Sequence, residues 1–78
     1  MAIDIEDGLT LRASLAQLRQ AMAGVDYLPG GVGPRVTLDD GRQLWVRLKH
    51  AQGGGSLLGV WVAELRARNG ETQWTYDL

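Results

Sequence analysis

Cysteine and phenylalanine are absent from this chain, histidine occurs once, at position 50, and proline only twice. Without cysteine there can be neither a disulfide nor a thiolate metal site. A single histidine excludes any cluster of imidazole ligands. With Ser14 and Ser56 as the only serines, a nucleophile–base pair reduces to Ser56 with His50, on a glycine-rich connection poorly suited to preorganised chemistry. No apolar run approaches the roughly 20 residues that span a bilayer. The acidic start, with Asp4, Glu6 and Asp7, lacks the basic-then-apolar order of a secretion signal, so a cytoplasmic protein is expected. Charge of one sign is also lacking: the net formal charge is −1, which by itself predicts no polyanionic partner. Lysine occurs once against seven arginines, a bias expected of a GC-rich bacterial genome.

The chain has 78 residues, 45% of them apolar, enough for one small globular domain over 1–78. A domain of this size buries only about 60% of the surface its unfolded chain exposes. With no staple available, association with a second chain is the remaining common source of stability. The charge is mildly divided, −3 over residues 1–40 and +2 over 41–78. A solvated surface accounts for that.

Ile3 and Ile5 alternate with Asp4 and Glu6, as in a short strand or an extended lead-in. Leu11, Leu15, Leu18, Met22 and Val25 then recur at helical spacing, with Arg12, Arg19 and Gln20 on the opposite side. Thr10 as N-cap and Gly24 as the closing residue predict a helix over about 10–23. After a Pro- and Gly-punctuated connection at 26–34, strand patterns continue to the C-terminus. Val36 and Leu38 face Leu44, Val46 and Leu48 across Asp39-Asp40-Gly41. A three-residue loop with Gly41 left-handed pairs Val36 with Leu44 and Arg35 with Trp45, which separates the faces best. In the last hairpin Asn69-Gly70 predicts a two-residue loop pairing Arg68 with Glu71, Leu65 with Trp74 and Ala63 with Tyr76. One face would then carry Trp61, Ala63, Leu65, Trp74, Tyr76 and Leu78, the other Glu64, Arg66, Arg68, Glu71, Gln73, Thr75 and Asp77. The fold class is therefore α+β: one N-terminal amphipathic helix packed on an antiparallel meander of about four strands.

Gly53-Gly54-Gly55 hides the register between the strand at 44–49 and the strand that starts at Leu57. That strand is apolar on both sides, and one helix cannot cover both faces of a sheet. If Trp61 faces the helix, Leu58, Val60 and Val62 face away from it beside Trp45. A slip by one turns Trp61 outward instead. Either way an apolar area ringed by Arg35, Arg47 and Lys49 is expected on the second face, as a homodimer interface or a docking surface for a protein partner. A half-barrel that covers its own second face is the structural alternative.

Trp45 with Arg35, Arg47, Lys49 and His50 also forms an aromatic-basic strip of the kind that binds single-stranded nucleic acid. Arg35 stacked on Trp45 as a cation–π pair is its plain structural counterpart. Gly30-Gly31-Val32-Gly33 follows a helix and precedes a strand, the reverse of a phosphate-cradling loop. Asp39 and Asp40 read as turn formers rather than paired catalytic carboxylates. The expectation is a non-enzymatic binding or assembly module, without cofactor or metal and off the membrane. It would self-associate through the sheet face away from the helix. A nucleic-acid-associated or regulatory protein using the Trp45 strip is the alternative.

Overall fold

The computed structural model describes residues 3–50 and 59–78, with the side chain of His50 excepted. One helix, α1 (Leu11–Met22), is followed by four strands: β1 (Val32–Thr37), β2 (Gln43–His50), β3 (Gly59–Arg66) and β4 (Thr72–Asp77). The strands form one antiparallel sheet in the order β1-β2-β3-β4, so the fold is an α+β meander. No helix among the described residues is long and apolar enough to cross a membrane. Residues 3–6 form no strand, and the nearest pairing is one isolated parallel bridge between Leu9 and Leu38.

Helix α1 starts where its sequence can satisfy the first free amides. The Thr10 hydroxyl accepts a hydrogen bond from the Ala13 N–H at 3.2 Å. It ends at Met22, after which Ala23 is extended and Gly24, at φ +74°, completes a turn in which the Val25 N–H donates to the Met22 carbonyl. Leu15, Leu18 and Met22 are buried in one cluster with Val36, Leu38, Leu44, Val46, Trp61, Ala63 and Leu65. Ile3, Ile5, Val25 and Leu28 pack against that cluster from the flanking segments.

The first hairpin has the register its alternation predicts, with Val36 opposite Leu44 and Arg35 opposite Trp45. Gly41 takes φ +88°, and the Leu38 N–H donates to the Arg42 carbonyl. The seam between β2 and β3 is also defined: Leu48 pairs with Trp61 and Val46 with Ala63, which turns Trp61 toward the helix. Its indole N–H donates to the Val25 carbonyl at 2.7 Å, joining the sheet to the segment that leaves α1.

The last hairpin keeps the expected faces but not the expected loop. Asn69 does not adopt positive φ; Gly70 alone does, at +90°. The Gly70 N–H donates to the Ala67 carbonyl and the Ala67 N–H to the Glu71 carbonyl, so Ala67 rather than Arg68 opposes Glu71. The loop therefore has three residues, Arg68-Asn69-Gly70. A bulge next to Leu65 and Arg66 absorbs the extra residue and restores Leu65–Trp74 and Ala63–Tyr76. Arg68 is thereby freed from the ladder and donates from Nε to the Asp40 carbonyl at 3.1 Å, tying one hairpin tip to the other.

Candidate binding surface

The second face of the sheet is built from alternate residues of each strand: Arg35 on β1, then Trp45, Arg47 and Lys49 on β2. On β3 it carries Val60, Val62, Glu64 and Arg66, and on β4 Thr75 and Asp77. Trp45 sits at its centre, directly between Arg35 and Glu64. Two guanidinium groups lie over its ring, Arg35 at 4.6 Å from the centroid and Arg66 at 4.0 Å. Its indole N–H donates to Gln43 Oε1, and Gln43 Nε2 donates to the Thr37 hydroxyl, each at 3.2 Å.

Glu64 is the charged residue most deeply embedded among those described, at 8% exposure. Arg47 donates to one carboxylate oxygen, and Arg66 donates to the other from Nη2 at 3.0 Å. The hydrogen bond from Arg47 does most to hold the Glu64 carboxyl below its ordinary range. Burial opposes it, and Arg66 adds to the lowering. The alternation places Glu64 and Arg66 among solvated residues; instead they are the pair that closes this face. The usable signal was their two-residue spacing on one strand, opposite a tryptophan and diagonal to Arg47.

This lattice changes the character of the expected surface. Val62 is fully buried, across from Arg47 on one side and Asp77 on the other. Val60 is exposed, at 43%, with Lys49 opposite it. Arg35, Arg47 and Lys49 are exposed, and Trp45 is half-buried. Leu58, the Gly53–Gly55 loop and Ser56 lie outside the described residues. Of the two serines, Ser14 is fully buried on α1, and its hydroxyl has no partner among the described residues. No group of three or more histidine, aspartate or glutamate side chains is placed to hold a metal among the described residues.

A second surface runs along the margin of the sheet at β4. The sequence pattern puts Trp74 in the core, and it does lie on the helix side, paired with Leu65. Yet Trp74 is 67% exposed. The reason is width. A helix is about 10 Å across and strands are spaced about 4.8 Å, so one helix roofs two to three strands. The buried cluster draws on β1, β2 and β3, and from β4 only Tyr76 packs against it.

The two edge strands differ sharply. β1 is disrupted by a bulge at Gly33-Pro34, and the lead-in runs along it: Gly8 N–H donates to the Thr37 carbonyl, and Thr37 N–H to Asp7 Oδ1. Those are standard protections of an edge. β4 carries no proline and no lysine, and no other described strand pairs with its outer side. Comparisons with protein-family models, with curated proteins and with solved structures return no match.

Proposed function

We propose that this chain is a non-enzymatic binding or assembly module that self-associates through its sheet. The observation that carries the reading is Trp74, a large aromatic side chain two-thirds exposed on an edge strand whose outer side no other described strand pairs with. Val60 adds a separate exposed apolar side chain on β3, on the face away from the helix and beside Lys49. That face contributes its rim rather than its centre, since Trp45 and Glu64 are already engaged by arginines. Size supports the same reading, because a domain this small gains most from burying shared surface. Sedimentation velocity from about 10 μM to about 1 mM tests it. A sedimentation coefficient that rises with concentration is expected, and Trp74→Lys should lower the association; a chain that stays monomeric throughout contradicts the reading.

The alternative, single-stranded nucleic acid on Trp45 with Arg35, Arg47 and Lys49, has the exposed cations in its favour. Against it, guanidinium groups of Arg35 and Arg66 already lie over the ring on which a base would stack. Salt-dependent quenching of tryptophan fluorescence by an oligonucleotide would support this reading, and no response at low salt would remove it.

A further inference from the structure

We infer that the partner of β4 is β4 of a second copy, paired antiparallel about a two-fold axis at Thr75, so that two four-stranded sheets become one of eight strands. The inference rests on the self-association reading and gives it a register. The Leu78 N–H donates to the Trp61 carbonyl at 2.9 Å. Along an antiparallel strand, backbone groups alternate between the two sides. Tyr76 and Trp74, opposite Ala63 and Leu65, therefore also direct their amides and carbonyls to β3. Thr75 and Asp77 direct theirs outward, where no described strand receives them.

A two-fold axis that uses those outward groups can pass through Trp74, Thr75 or Tyr76, and the bulge and the side chains distinguish the three. An axis at Trp74 lays residues 75–77 against the bulged stretch 71–73 of the second copy, where the regular ladder is broken. An axis at Tyr76 sets Trp74 opposite Leu78 of the second copy, without an aromatic partner. An axis at Thr75 pairs the regular stretch beyond the bulge, from Trp74 to Tyr76, with its own copy. It sets Asp77 beside the bulge at Gln73 of the second copy and keeps the two Asp77 carboxylates apart. It also sets Trp74 opposite Tyr76 of the second copy, twice by symmetry. Those are positions without mutual hydrogen bonds, where cross-strand side chains lie closest. The exposed Trp74 thus gains an aromatic neighbour on the helix side of the joined sheet.

The chain has no cysteine of its own, so one introduced thiol reports the register without background. In Thr75→Cys the two thiols of a dimer meet at the axis, within disulfide reach, whereas in Asn69→Cys at the hairpin tip they do not. With oxidised glutathione, Thr75→Cys should convert to covalent dimer about tenfold faster than Asn69→Cys. Thr75→Pro removes an outward N–H that β3 does not use. It should keep the wild-type circular dichroism spectrum and sediment as a monomer where the wild type dimerises. Trp74→Lys, at an exposed position, should weaken the dimer in the same way. A wild type that dimerises while Thr75→Cys cross-links no faster than Asn69→Cys overturns the edge register and leaves self-association standing. A wild type that is monomeric at about 1 mM overturns both.

Discussion

Glu64 makes the clearest electrostatic commitment in the molecule, because its nearly buried carboxylate has two arginine partners. Its folded pKa lies below the ordinary glutamate value, so the unfolded chain takes up the proton first as pH falls. The resulting stability is complete above about pH 4.3, the unfolded value, and is lost as pH drops through the lower folded one. Urea unfolding from about pH 6 down to about pH 3 should show that loss, and Glu64→Gln should flatten it while costing about 1–2 kcal/mol at neutral pH. An unchanged pH slope in the variant would show that other carboxylates carry the acid sensitivity. Ser14 works in the opposite sense. Its buried hydroxyl lacks a partner among the described residues, and alanine is the better helix former, so Ser14→Ala should raise stability by about 0.5–1.5 kcal/mol in the same assay. Neither role was visible in the periodicity, which classes both residues simply as polar. What decides them is the particular neighbour: for Glu64 a tryptophan directly across and two arginines in reach, for Ser14 no partner among the described residues.

Among the elements, the helix and the first hairpin were legible because each rests on local rules. Thr10 and Gly24 delimit a 12-residue helix, and Asp39-Asp40-Gly41 has one residue suited to positive φ where one is needed. The Asp40 carboxylate reinforces that loop by accepting from the Arg42 N–H at 3.0 Å, the main cause of its lowered pKa. The last hairpin was misread in its loop because Asn-Gly permits two solutions. A two-residue loop needs positive φ at both residues, whereas the three-residue loop needs it only at Gly70. The contact from Arg68 to the Asp40 carbonyl, remote in sequence, accompanies the second solution. Gly70→Ala should therefore cost about 1–2 kcal/mol by thermal unfolding, and Asn69→Asp less than about 0.5 kcal/mol. Equal costs at the two positions would mean that Asn69 is the strained one. The β2–β3 register was hidden because the residues before β3 carry no turn signal that fixes a loop length, and both faces of β3 are apolar.

At the scale of the whole molecule, the alternation correctly implied that one helix leaves part of the sheet uncovered. Arginine stems, a tryptophan and a carboxylate close the centre of the second face, so Val62 is buried there without help from a partner chain. Of the exposed large apolar side chains, Trp74 lies at the margin on the helix side, where β4 presents an edge that no other described strand pairs with. Binary patterning records which side of a strand is apolar, but not how far across a sheet one helix reaches.

Amide hydrogen exchange at Thr75 and Asp77, read residue by residue at two protein concentrations, tests that edge most directly. Trp74 and Tyr76 donate to β3 and should be protected at any concentration. Thr75 and Asp77 should exchange freely when the protein is dilute and become protected, by about tenfold or more, once it is concentrated enough to dimerise. Exchange at those two amides that stays fast at every concentration, in a chain that is otherwise folded, would contradict the account.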